Sequence, residues 1–330
     1  MLPELFHFNI AGHEIHLYTY GLMMVVGFFA AVYVARFLAN RSGLDGEVFV
    51  NAGLIALVSG VVGARLSHVL ENLSEFTQND RTAGENFFAM INLTSGGLTY
   101  YGGFILAFIV LVWYGRKKRI PLPLGMDIIA PCLMIGLGFG RIGCFLNGCC
   151  EGAVCQQPYA ITFPYYSNPY RDQFNKGQLE GKVPPQLLYT PHVFQRLLPP
   201  EAAKDNPALL ALMKQQRSLP VHAAQLYSTI TCFILAALLI AYYSMPHTAG
   251  RVFALMLMLE GATRFILEML RVEPGVIGSF SLSMIIGLML VAIAGLVTAS
   301  TATRIAAISA RIPAVSRFFW SSHDKYASQR

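Results

Sequence analysis

The chain has 330 residues, of which 55% are hydrophobic and only 13% charged, with a formal net charge of +6 and a mean hydropathy of +0.50. Soluble domains carry about 25% charged residues, so an ordinary cytosolic enzyme, a disordered chain and a secreted disulfide scaffold are excluded. What remains is an all-α membrane protein, because a bilayer core demands apolar runs of about 20 residues.

Charge-poor stretches predict about seven transmembrane helices, at 17–36, 48–69, 98–115, 124–145, 222–243, 252–271 and 279–301. The first has no charge between Glu14 and Arg36 and lacks the basic lead-in of a cleavable signal, so it is expected to be retained. Asp127 and Arg141 interrupt the fourth stretch, and Glu260, Arg264 and Glu268 the sixth. The expected organisation is a membrane domain at 1–145, an extracytoplasmic insertion at 146–221, a second membrane portion at 222–301 and a cytoplasmic tail at 302–330. The insertion holds ten of the 17 prolines, which predicts an irregular, turn-rich segment with one short helix near 201–217.

Loop charges set the orientation. Arg36, Arg41, Arg116, Lys117, Lys118, Arg119, Arg251, Arg304, Arg311, Arg317, Lys325 and Arg330 fall on one side, twelve basic residues against Arg81 and Arg271 in the short loops opposite. The positive-inside rule then puts the N-terminus outside and the C-terminus in the cytoplasm. No basic run is longer than Arg116 to Arg119. That run abuts an apolar stretch, so it reads as a membrane-surface anchor and not as a nucleic-acid site.

Ionisable side chains inside spans are costly and mark function by default. Glu260, Arg264 and Glu268 are spaced i, i+4, i+8 and share one helix face. Asp127 lies near the start of its span and is expected to be structural. Arg141 sits among Gly136, Gly138, Gly140 and Gly143. The match of Gly138, Gly140 and Gly143 to a dinucleotide fingerprint lacks the strand–helix context that motif needs. Glycines instead let helices or head groups approach closely, and an arginine in that gap can grip a phosphate with two parallel hydrogen bonds.

The bracket Gly96 to Gly103, GGLTYYGG, taken alone reads as a turn with interfacial tyrosines. Of the six cysteines, Cys144, Cys149, Cys150 and Cys155 cluster as C-x4-C-C-x4-C. One disulfide and tightly packed thiols fit that pattern equally, and a metal ranks behind both because zinc usually takes C-x2-4-C pairs with a further ligand pair, which this spacing fits poorly.

The segment GLGFGRIGCFLNG, residues 136–148, resembles the signature of the phosphatidylglycerol–prolipoprotein diacylglyceryl transferases. Further segments resemble that family in the same order: Tyr20-Gly21-Leu22-Met23, Gly63-Ala64-Arg65, GGLTYYGG, Asp127 to Pro131, Tyr159 to Pro164, His222 to Tyr227, and Arg264 to Arg271. The likeness covers roughly 17–300 but neither most of 165–220 nor the C-terminal tail. Tyr101 stands where many members have histidine, Cys144 where many have asparagine, and Ala223 follows His222 where the family has proline.

The resemblance implies a multi-pass enzyme of the bacterial inner membrane. Its substrates would be phosphatidylglycerol and the lipobox cysteine of a prolipoprotein signal peptide, with no cofactor and no metal. Transfer of the diacylglyceryl group gives a thioether and glycerol phosphate, and the leaving phosphate gains about one negative charge. Arg141 and Arg264 are therefore the expected stabilisers, with Glu268 orienting Arg264 and Tyr101 acting as a donor or base. Arg65 and Arg271 are expected to recruit the head group, and Tyr20 and Asn147 to position the lipid. Gly102, Gly103, Gly148 and His222 complete the expected substrate-binding set. A transporter using the same buried charges, or a transferase with another acceptor, are the competing readings. The transporter lacks the discontinuous-helix repeat usual for that class.

Overall fold

The structure is a computed structural model that describes residues 4–10, 13–76, 82–92, 99–189, 195–271 and 281–311. A hairpin of β1 (Glu4–Ile10) and β2 (His13–Tyr18) opens the chain. It leads into α1 (Thr19–Arg41), α2 (Gly46–Glu71), the short α3 (Leu73–Phe76) and α4 (Ala83–Ile91), then α5 (Tyr100–Lys117) and α6 (Leu122–Asn147). The insertion carries α7 (Asn168–Asn175), the two-residue strands β3 (Leu188–Tyr189) and β4 (Arg196–Leu197), and α8 (Pro207–Gln215). Three helices close the chain: α9 (Ala224–Tyr243), α10 (Arg251–Glu268) and α11 (Leu282–Arg311).

The chain is thus mostly helical, and α1, α2, α5, α6, α9, α10 and α11 overlie the seven predicted stretches. By length and composition α1, α2, α6 and α9 can cross a membrane, and Leu282–Leu296 forms a shorter apolar helix. The opening hairpin went unpredicted, and so did the order within the insertion. That segment has its own apolar cluster, in which Tyr165, Tyr170, Leu179, Leu187, Leu197 and Met213 are buried together. The predicted 201–217 helix is present as α8, preceded by a 3-10 turn at Pro200–Ala203.

Helix α6 is the centre of the bundle. Its Ile128, Ala130, Met134 and Ile135 are buried against Leu38 and Ala39 of α1, Leu235 and Leu239 of α9, and Val252 and Met256 of α10. Proline at its first turn and Gly148 after its last residue set its limits; Gly148 adopts φ +69° and donates its N–H to the carbonyls of Cys144 and Phe145. Hydrocarbon gives helices no hydrophobic reason to associate, so small residues that permit close packing decide the pairs. A Cβ placed at Gly102 of α5 would lie 2.2 Å from Ser67 Cβ and 2.7 Å from Gly63 O of α2. Gly261 of α10 and Gly287 of α11 meet in the same way, each backbone oxygen within 2.7 Å of the other's added Cβ.

Asp127 ties α6 to α10. Fully buried, it accepts hydrogen bonds from the N–H groups of Gly250 (2.6 Å) and Phe253 (2.8 Å) at the start of α10. These are donors that a helix cannot satisfy itself, and a negative charge suits that end of the dipole. Asp127→Ala is expected to lower thermal stability in detergent by about 1–3 kcal/mol for each donor left unpaired, and Asp127→Asn, which keeps one acceptor, by less. An unchanged melting temperature in Asp127→Ala would remove this role.

Candidate active site

The charges on α10 face a cleft shared with α6 and α9. Glu260, Arg264 and Glu268 line it from α10, Arg271 from just beyond, Ser228 and Cys232 from α9, and Arg141 and Cys150 from α6 and the turn after it. The i, i+4, i+8 spacing brings the first three to one face. The glycines around Arg141 serve the approach of neighbouring helices. Gly138 lies against Phe233 of α9, with its added Cβ 3.1 Å from the ring, and Gly143 against Tyr20 of α1 at 3.0 Å.

The polarity of the cleft follows from its pairings. Glu268 accepts from Ser281 Oγ at 3.1 Å and faces Arg271 Nη1 at 3.5 Å. Glu260 lies in the fields of Arg264 and Arg141. Three arginines against two glutamates leave a formal charge of +1 among these groups. The Nε atoms of Arg141 and Arg264 are buried with no hydrogen-bond partner among the described residues. Buried donors without acceptors are rare in folded proteins and call for a missing partner. Two guanidinium forks in one cleft have the geometry and charge that suit an anion such as a phosphate group.

The structure brings together Arg141, Arg264, Glu268 and Arg271 of the expected residues. It corrects one pairing: Glu268 was expected to hold Arg264 four residues earlier, but its carboxylate is engaged by Arg271 and Ser281. Helix α10 ends at Glu268 and the following turn carries Arg271 back over it, with the Arg271 N–H donating to the Glu268 carbonyl at 3.0 Å. Tyr20 is within electrostatic reach of Arg141 and of Cys144, Cys149 and Cys150 at the end of α6. Asn147 donates from Nδ2 toward Cys149 Sγ at 3.7 Å.

The other expected residues lie elsewhere. Arg65 is buried on α2, where Nε and Nη2 donate to the carbonyls of Met90 (2.8 Å) and Ala89 (2.7 Å) and so cap the end of α4. Gly102 and Gly103 press α5 onto α2, and Tyr101 is 51% exposed at the start of α5, outside the cleft lining. His222 sits where the insertion joins α9, its ring between those of Tyr159 and Tyr227 with centroids 6.1 and 6.2 Å away. Gly96, Gly97 and Leu98 of the bracketed motif fall outside the described residues. Missing from the expected set are Glu260, Ser228 and Cys150. For Glu260 the helical spacing was the available signal and for Cys150 the cysteine cluster; Ser228 had none.

All six cysteines are free thiols. The sulfurs of Cys144, Cys149 and Cys150 lie within 4.8 Å of one another, whereas Cys155 is buried apart and accepts from the Gln157 N–H. Hydrogen bonds from Cys144 and Cys149, followed by the fields of Arg141 and Arg271, pull the Cys150 thiol far below its ordinary range against the effect of burial. Cys150 and Arg271 also border a second cavity of about 460 Å³ on the insertion side, with Glu151, Asp172, Gln173 and Lys176. Burial raises the Glu151 carboxyl there.

Residues 6–300 match the family described as prolipoprotein diacylglyceryl transferase. Similar proteins named phosphatidylglycerol–prolipoprotein diacylglyceryl transferase come from several bacteria. One from Rhodopirellula baltica is 36% identical over 163 residues, which cover 49% of this chain and a third (33%) of that longer protein. One from Clostridium tetani is 25% identical over 273 residues, 82% of this chain and 88% of the relative. One from Yersinia enterocolitica is 30% identical over 271 residues, 81% of each.

Proposed function

The chain belongs to the prolipoprotein diacylglyceryl transferase family, and from that membership we propose that it transfers the diacylglyceryl group of phosphatidylglycerol to a prolipoprotein through the arginine-lined cleft. The observation that carries this reading is the pair of buried guanidinium Nε groups, on Arg141 and Arg264, that have no acceptor among the described residues. In the proposed step the thiolate of the lipobox cysteine attacks a glyceryl carbon of the lipid. An S–C bond forms, the C–O bond to phosphate breaks, and glycerol phosphate leaves with the electron pair. The thiol's proton is released, and the phosphate goes from one negative charge to about two at neutral pH. A preorganised cation pair in a low-dielectric cleft stabilises that extra charge more in the transition state than in the bound lipid.

Glu260 balances the two arginines before the lipid arrives, so the empty cleft is not a bare concentration of positive charge. Arg271, held by Glu268, borders both the cleft and the outer cavity and draws the anionic head group inward. The peptide enters from the insertion side and the lipid from the bilayer. Purified protein given labelled phosphatidylglycerol and a lipobox peptide is expected to label the peptide. Lipid consumption with an unlabelled peptide would refute the acceptor, and an inert lipid would refute the enzyme.

The proposed setting is the bacterial inner membrane, with seven spans and the insertion extracytoplasmic. The charge asymmetry of the short loops and tail supports this orientation. Alkaline phosphatase fused within the insertion is expected to be active, and fused after Arg330 inactive. An active C-terminal fusion would reverse the assignment.

A further inference from the structure

We propose that Cys144, Cys149 and Cys150 form a zinc site whose open fourth position takes the thiol of the incoming peptide. The inference rests on the transfer reading above and supplies what that reading lacks, a way to deprotonate the acceptor. The three sulfurs already lie within 4.8 Å of one another. A tetrahedral zinc with bonds of about 2.3 Å holds its sulfurs roughly 3.8 Å apart, so closing the site takes only side-chain adjustment.

The sequence pattern placed a metal last because no second ligand pair accompanies the C-x4-C spacing. Here, however, Cys144 stands on the last turn of α6. Gly148 turns the chain back at φ +69°, and the Cys149 N–H returns to the Cys144 carbonyl at 3.0 Å. Cys150 itself holds φ +62°, a conformation that side-chain-bearing residues seldom adopt and that persists where the surroundings enforce it. The backbone is therefore bent at the residue that completes the trio. Asn147 Nδ2, directed at Cys149 Sγ, provides the outer hydrogen bond that thiolate ligands commonly receive.

Three protein ligands and a vacant position are the mark of a catalytic zinc, in contrast to the closed four-ligand structural site. Thiolate donors select zinc among the redox-inert metals. Zinc with three thiolates carries a charge of −1, and the nearby Arg141 and Arg271 offset it. A thiol that coordinates such a metal loses its proton outright. The peptide S–H would thus become a zinc-bound thiolate with its proton released to water. Its sulfur then forms the S–C bond, and the product thioether, a weaker ligand, departs. No electrons are exchanged with any other group. Cys150 borders both the outer cavity and the arginine cleft, which puts this thiolate between the peptide's route of entry and the phosphate clamp.

The test uses the full-length protein purified in detergent, with zinc and then cobalt(II) as probes. Wild type is expected to hold about one zinc per chain, and Cys149→Ser and Cys150→Ser to lose it. Asn147→Ala, which keeps all three sulfurs, is expected to weaken zinc about tenfold. The cobalt form should show thiolate charge-transfer absorption that shifts with a lipobox peptide and not with its serine analogue. Metal-free protein that transfers at full rate, a disulfide within the trio, or a cobalt spectrum indifferent to the peptide thiol would each overturn the proposal. Zinc-loaded protein whose cobalt spectrum responds to the peptide thiol but which labels no peptide would sustain the site and sink the transfer reading.

Discussion

Arg141→Lys is expected to lose about 10²–10³ in turnover, nearly as much as Arg141→Ala, the scale seen when a preorganised oxyanion donor is removed. Lysine restores the charge but not the planar fork, and a compact ammonium cannot make two parallel hydrogen bonds to one phosphate. The unpartnered Nε of Arg141 means that nothing among the described residues competes for that edge of the fork. Arg264→Lys is expected to behave alike, since its Nε is in the same condition. The loss should fall on kcat with KM little changed, because the interaction strengthens as the phosphate gains charge. Tyr101→Phe, outside the cleft lining, is expected to lose no more than about tenfold, the scale of one hydrogen bond. Transfer kinetics with labelled lipid decide both. Near wild-type turnover in Arg141→Lys would reduce that residue to a source of field.

Gly102→Val is expected to prevent stable folding. Its Cβ would collide with Ser67 Cβ at 2.2 Å and with the Gly63 carbonyl at 2.7 Å. Overpacked positions typically lose about 1–3 kcal/mol when side chains can yield, but here one obstacle is backbone. Separating α5 from α2 would also break the hydrogen bonds of Thr99 to Glu71 (2.9 Å) and to the Ala64 carbonyl (3.0 Å). Gly115→Ala on the same α5 is the comparison, since an added Cβ there meets nothing within 4 Å. Membrane expression and melting in detergent report the outcome. A Gly102→Val protein that melts like wild type but fails to bind lipid would transfer this glycine from packing to substrate binding.

Helices were legible in the sequence because lipid leaves so few alternatives. A backbone in hydrocarbon must satisfy its own hydrogen bonds, so long apolar runs are helical even when Asp127 or Arg141 interrupts them. The opening hairpin, β1 and β2, was overlooked although Glu4–Ile10 and His13–Tyr18 both carry apolar residues in partial alternation. Arg141, Arg264 and Glu268 were legible as candidates because charge within an apolar stretch is expensive, and the structure brings them to one cleft. Partners distant in sequence were not legible. Arg65 holds carbonyls 24 and 25 residues away, and no local pattern announces that. The cysteine cluster was visible in the sequence, but the convergence of Cys144, Cys149 and Cys150 depends on a helix end folded back by an αL glycine, which spacing alone does not show.

The insertion leaves and re-enters the bundle through one narrow doorway. Val154 and Ile161 both bridge to Val221, and Pro164 bridges to Arg217, so its two ends are stitched side by side ahead of α9. What happens to the chain beyond that seam hardly registers in the membrane. Doubling the length of a flexible excursion between fixed ends adds only about 0.6 kcal/mol of closure entropy, and this one also has its own apolar cluster to hold it. The segment is thus a cassette only in part. Its outer turns can be lengthened or shortened beyond the seam, whereas Asp172, Gln173 and Lys176, which share a cavity with Cys150 and Arg271 of the cleft, tie its inner face to the bundle.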